Sequence, residues 1–287
     1  MEIAEFKEAV LSNYRQQGRK FPWHYTDPWG VMVSEFMLQQ TRAERVIPYW
    51  ENWMKLWPRP EALADASMET ALRAWSGLGY NRRCRYLKES AVIIVNENGG
   101  RVPETPQALL SLPGVGPYMS SAIACFAYNF PAVFIETNIR SAVIHCFFPS
   151  RDDVRDSEII PILEAALDRN VPQPSPKPSV REHRKGSPLD PRTWHYALMD
   201  YGAFLKSTTT NPGRRSAHYT RQSPFSGSFR QARGKVIKAL ISIGQCNAEE
   251  LKLASGLEGE KLYEVLEKLK KEYFVAEDGN SYRIKER

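Results

Sequence analysis

Apolar residues recur every three to four positions along most of the chain, a spacing that predicts helix after helix. Ile3, Phe6, Val10 and Tyr14 mark a first amphipathic helix. The stretch "DPWGVMVSEFMLQQTRAERVIPYWENWMKLW" keeps the same spacing, with Pro48 expected at a helix boundary or in a first turn. In "TPQALLSL", Thr105 is placed to cap a helix and Pro106 to start it. "GPYMSSAIACFAYN" is apolar and rich in small residues, as suits a tightly packed central helix. No strand is predicted before the C-terminal region. After Phe225 the pattern predicts a helix over "SFRQARGKVIKALISIG" ending at Gly244, a short helix capped by Asn247, and a third with Leu262, Val265, Leu266 and Leu269 on one face. A hairpin turning near Asp278 and Gly279 follows. Three helices and a hairpin predict a winged-helix-like module.

Two stretches lack the period. Val171 to Pro191 is rich in proline and charge and reads as an exposed, semi-rigid insertion. "KSTTTNPGRRSAHYTRQSPFSGS" is polar and basic and reads as linker. The chain of 287 residues carries a net charge of +6, and the cations cluster. From Ala203 to Lys235 there is no acid, and "NRRCRYLK" supplies Arg82, Arg83, Arg85 and Lys88. A solvated basic face and a polyanion contact both fit this pattern. Cys84, Cys125, Cys146 and Cys246 are too dispersed for a metal-site spacing and read as buried free thiols. No run is long enough to span a membrane, and the acidic N-terminus does not read as a signal peptide. A cytoplasmic, nucleoid-associated monomer is expected.

"LPGVGPY", Leu112 to Tyr118, lies between two predicted helices. Gly114 and Gly116 allow a sharp turn, and Pro117 begins the next helix. This is the pattern of a helix–hairpin–helix element. Leu112, Gly114, Val115 and Gly116 are therefore candidates to hold a DNA phosphate, with a monovalent cation possible at the hairpin.

Four segments, "FPWHYTDPWGVMVSEFMLQQT", "WSGLGYNRRCRYLKESA", "LPGVGPYMSSAI" and "VFIETNIRSAV", together resemble the helix–hairpin–helix DNA glycosylases, and most of all their adenine glycosylase (MutY) branch. The resemblance covers roughly residues 20 to 205. It implies an all-α fold of two helical domains, one over 21–135 and one formed by 1–20 with 136–222, followed by the winged-helix-like α+β module over 225–287. It implies a glycosylase of base excision repair that acts on double-stranded DNA holding a mispair or damaged base and removes adenine or another purine. A different target base, or a DNA-binding protein without catalysis, are the alternatives.

By the same resemblance Glu35 matches the general acid, and Gln39 and Gln40 match residues that enter the duplex. Tyr80 matches an intercalating aromatic, although Asn81 stands where the family has another aromatic. Tyr118 takes the place of the Schiff-base lysine of bifunctional relatives, which implies little or no β-lyase activity. Glu136 matches an aspartate that stabilises the cationic sugar, and Asn138 an asparagine that supports it. The glutamate is longer by one methylene, or about 1.5 Å. Most of the family carries four cysteines after the segment matched by "ALMDYGAFLKSTTTNPG"; they are missing from this stretch, so no iron–sulfur cluster and no other cofactor is expected. Arg82, Arg214 and Arg215 are expected on DNA. The sixty or so residues after Phe225 look unlike the Nudix-like domain that reads 8-oxoguanine in the family.

Overall fold

A computed structural model describes residues 1–167, 190–221 and 224–286. Most of the insertion expected over 171–191 lies outside the described residues. The helices begin with α1 (Ile3–Gln17), α2 (Pro28–Leu38), α3 (Ala43–Leu56), α4 (Pro60–Asp65), α5 (Met68–Trp75), α6 (Arg82–Asn98) and α7 (Pro106–Leu109). They continue with α8 (Pro117–Tyr128), α9 (Thr137–Phe147), α10 (Asp156–Ala166) and α11 (Pro191–Thr208), then a 3₁₀ turn at Pro212–Arg215. The C-terminal module holds α12 (Phe229–Ile243), β1 (Cys246–Asn247), α13 (Ala248–Ser255), α14 (Gly259–Lys271), β2 (Val275–Asp278) and β3 (Ser281–Ile284). The helical class and its small α+β module are as the periodicity predicts.

The chain divides into two compact units. The first contains 1–35, 102–111 and 115–221, and the second 36–101, 112–114 and 222–287. The segment expected as one domain over 21–135 thus contributes to both, and the C-terminal module joins the second unit.

In the first unit α1, α9, α10 and α11 pack around Phe6, whose ring meets Phe147 at 5.2 Å and Trp194 at 5.9 Å, both edge-on. Aromatic pairs of this geometry add to what area burial contributes. The segment after α11, expected as linker, is folded in its first half. Val154 N–H donates to Arg215 O at 3.0 Å and Ala217 N–H to Val154 O at 3.0 Å. Asn211 caps the 3₁₀ turn.

In the second unit Trp53 and Trp75 meet edge-on at 5.3 Å, and Leu63, Leu72 and Leu87 are buried in the same unit. Pro48 sits inside α3, in its second turn rather than at a boundary. The C-terminal module has a three-stranded antiparallel sheet in the order β1-β3-β2, with Val275 opposite Ile284. Strand β1 is absent from the sequence reading because it is only two residues long, and its Asn247 also caps α13. The module is fastened to α5 and α6. Glu272 accepts from Arg82 Nη2 at 2.7 Å and pairs with Arg233 at 2.5 Å, and Arg73 Nη2 donates to Ile241 O at 2.8 Å.

The cations of "NRRCRYLK" are largely structural. Arg83 is 5% exposed and donates to the carbonyls of Phe36, Met37 and Gln39 at 3.0, 2.6 and 2.6 Å. It thereby satisfies the open C-terminal end of α2. Lys88 does the same for α4, donating to Ala64 O at 3.1 Å. Arg85 donates to Glu272 O and pairs with Glu89 at 3.4 Å. A helical period shows that these residues share a helix, but not that the face they occupy is covered.

Candidate active site

Helix α2 is apolar almost all round. Val31, Met32, Val33, Phe36 and Met37 are at most 1% exposed, and Glu35 among them is 6% exposed. Ionising a carboxyl here removes charge from water without full compensation. Burial, and then the charge of Glu136, push Glu35 up to about 8. The group therefore holds its proton at neutral pH and can donate it.

Glu136 is half-buried at the N-cap of α9. Its Oε1 accepts from Asn138 N–H at 2.6 Å and Ile139 N–H at 2.8 Å. Its Oε2 accepts from Thr137 Oγ1 at 3.2 Å and Asn138 Nδ2 at 3.3 Å. The extra methylene is taken up by folding the side chain back over the helix end. Burial pushes Glu136 up, and the Ile139 N–H, the Lys206 ammonium and the Asn138 N–H counter it. Those donors all favour the charged form. Of the two carboxyls, Glu136 is the one arranged to ionise and Glu35 the one arranged to stay neutral.

Lys206 reaches this site from α11, donating to Asn138 Oδ1 at 2.9 Å. Burial lowers it, and the nearby Glu136 offsets only part of that fall. Four residues earlier, Gly202 makes that reach possible. A Cβ at 202 would lie 2.0 Å from Asn138 O and 2.8 Å from its Cα, and that backbone cannot step aside. Glycine lets α11 lie directly against the start of α9. In the sequence Lys206 is one cation of an acid-free basic run, and Gly202 is an ordinary helical glycine. The i, i+4 spacing of a glycine and a lysine on one helix was the only local sign.

Tyr118 is held by Phe134, edge-on at 5.7 Å, and Phe134 stacks on His195 at 4.2 Å. His195 is 2% exposed, bonds Pro191 O through Nδ1 at 2.8 Å, and is pushed by burial down to about 4. A neutral ring therefore backs Phe134. Burial, with Glu35 and Glu136 nearby, pushes Tyr118 well up, so it stays a phenol. Glu35, Tyr118, Glu136 and Asn138 are thus brought together in the first unit as the sequence groups them.

The expected DNA-facing residues divide differently. In the second unit Gln39 and Gln40 follow α2, in the loop whose carbonyls Arg83 holds. Gln40 and Tyr80 have φ of 55° and 48°, a region that non-glycine side chains rarely adopt. Such strain persists where the surroundings enforce it, often at functional positions. In the hairpin, Gly114 has φ 74° and Gly116 caps α8. Leu112 and Val115 are 2% and 6% exposed, so their side chains belong to the interior and the hairpin's offering is backbone. Arg82 is engaged by Glu272. Arg215 donates to Phe148 O at the end of α9, while Arg214 is exposed.

The four thiols are buried in α6, α8, α9 and β1. Among the described residues no group of three or more His, Cys, Asp or Glu is placed to hold a metal ion.

A helix–hairpin–helix turn, and a proton-holding carboxyl beside one met by hydrogen-bond donors, are the features this helical chain carries. Residues 33–287 match the HhH-GPD superfamily of base excision DNA repair proteins, and the chain belongs to that superfamily. It is 36% identical over 246 residues to the adenine DNA glycosylase of Mycobacterium tuberculosis, covering 80% of this chain and 77% of the relative. The adenine DNA glycosylase of Mycolicibacterium smegmatis is 33% identical over 244 residues, covering 80% and 78%. The solved structure of a thermostable thymine-DNA glycosylase shares the fold, with a TM-score of 0.58 at 23% identity over 72% of this chain and 88% of that one.

Proposed function

We infer that the chain is a DNA glycosylase that removes adenine from duplex DNA in base excision repair. The observation that carries this reading is the unequal surroundings of Glu35, enclosed by apolar side chains, and Glu136, met by backbone and side-chain donors, in a chain similar over four-fifths of its length to adenine glycosylases. The target nucleotide leaves the base stack, at a cost lowest where pairing is already poor. Glu35 gives its proton to a ring nitrogen of the adenine. The C1′–N9 bond then breaks, its electron pair leaving with the protonated base. Glu136, which accepts from backbone N–H groups at the start of α9 and feels the Lys206 ammonium, stabilises the cationic sugar as a carboxylate. Water adds to C1′ and its proton passes to Glu136, leaving free adenine and an abasic site.

Tyr118 supports a monofunctional reaction, since a phenol forms no imine with the sugar aldehyde. No cysteine lies between α11 and Cys246, and the four buried cysteines lie on four separate elements, so this donor set does not fit an iron–sulfur cluster. No step needs one.

Duplexes carrying adenine opposite guanine, cytosine or 8-oxoguanine, alongside uracil and thymine mispairs, test the reading. Purified protein should yield strand breaks at adenine only after alkali. Excision of a pyrimidine instead of adenine, or of no base, overturns the target. Breaks without alkali overturn the monofunctional chemistry.

A further inference from the structure

Between the C-terminal module and the loop after α5, the second unit contains an open groove of about 1300 Å³. One wall holds Gln39, Gln40 and Tyr80, and the other is a face of α12 with Arg230, Gly234 and Lys238. Nine arginines and lysines line it against one carboxylate, Glu272, which Arg82 and Arg233 engage. Lys235 and Lys238 are exposed at its edge.

The groove also holds aromatic surface. Phe225 lines it and is 59% exposed, a large apolar side chain that the core leaves outside. Two guanidinium groups lie over the Tyr80 ring, Arg83 at 5.4 Å and Arg230 at 5.3 Å. Arg230 also donates to the Tyr80 hydroxyl, so the module fixes the orientation of that ring. Finally, Gly234 lies within α12 on the groove face, where an added Cβ would meet nothing within 4 Å. Glycine inside a helix costs about 1 kcal/mol relative to alanine, and no internal contact here requires it.

We propose that this groove holds one strand of the DNA, so that the C-terminal module is a working wall of the DNA-binding surface. Phe225 offers a face to a base, Lys235 and Lys238 meet phosphates, and bare backbone at Gly234 admits the sugar–phosphate chain. The proposal rests on the glycosylase reading for its ligand, and gives the module a role that the carboxylate pocket does not define.

The test uses the full chain and a fluorescent duplex with a tetrahydrofuran abasic analogue, titrated over a range of salt. Phe225→Ala and Arg230→Ala should each weaken binding about tenfold, the scale of one lost stacking contact. Lys235→Ala with Lys238→Ala should flatten the salt dependence by about one unit per phosphate contact removed. Gly234→Phe should weaken binding while the melting temperature stays level or rises, which a purely structural glycine would not do. Wild-type affinity and salt slope in Phe225→Ala and in the double lysine variant overturn the proposal; both change exposed residues, so misfolding does not obscure the result. If the wild-type protein excises nothing, the proposed function fails while the binding measurements still decide this groove.

Discussion

Glu35 in the first unit and Glu272 in the second are two carboxyls largely withdrawn from solvent, with opposite fates. Glu35 meets apolar side chains and another carboxylate, and is pushed up to about 8. Burial alone would push Glu272 up as well, but bonds from Arg233 and Arg82 hold it down to about 2. The difference lies in pairing rather than depth. An unpaired buried acid is a proton donor in waiting, while a doubly paired one is a rivet. Their stability contributions therefore run in opposite directions with pH. The contribution of Glu35 is fully present below its ordinary value near 4.5 and is lost as pH rises through about 8. That of Glu272 is present above 4.5 and is lost as pH falls through about 2.

Glu35→Gln puts the first half of this contrast under the greatest strain. Excision should fall by about 10² to 10⁴, the usual worth of a general acid. The variant should also melt higher than wild type, by a margin that grows from pH 4.5 to 8. A variant that loses both activity and stability would mean that Glu35 is a structural group. In the wild type, the excision rate should decline above about pH 8 as Glu35 loses its proton.

Gly202→Ala drives a methyl group into the Asn138 backbone and displaces the start of α9. A shift of about 1 Å in a catalytic group costs roughly 10²-fold in rate. Comparing circular dichroism with single-turnover excision separates local displacement from unfolding; unchanged excision would show that the helices slide apart freely. Lys206→Met should lower kcat/KM about tenfold, for one lost charged hydrogen bond, and Lys206→Arg should recover part of it. Because the ammonium favours ionised Glu136, its loss should also move the acidic limb of the pH profile upward. An unmoved limb would confine Lys206 to packing. The smallest effect belongs to Glu272→Gln, whose thermal stability should lose part of the wild-type decline between pH 4.5 and 2. The same decline in both proteins would show that the rivet is replaceable.

Local devices were legible in the sequence. Thr105 and Asn247 cap their helices, Gly244 ends α12, and Leu262, Val265, Leu266 and Leu269 form the buried face of α14. Each depends on neighbours within a turn or two. The pocket carboxyls were legible through resemblance, but their tuning was not. Lys206 meets Asn138 across 68 residues and Arg82 meets Glu272 across 190, separations at which spacing carries no signal. Arg83 illustrates the cost of reading charge alone. In the sequence it belongs to a basic patch, while in the fold it closes the end of α2.

The buried thiols have a practical consequence. Cys125 and Cys146 lie in the first unit, Cys84 and Cys246 in the second, and burial raises all four above the ordinary thiol range. A thiol without its thiolate is slow to react with alkylating reagents and oxidants. The native chain should therefore be chemically quiet, and each sulfur should become reactive only when its surroundings open. Their alkylation rates, read by mass spectrometry, make two internal clocks, one for the unit that carries the carboxyls and one for the unit that carries the groove.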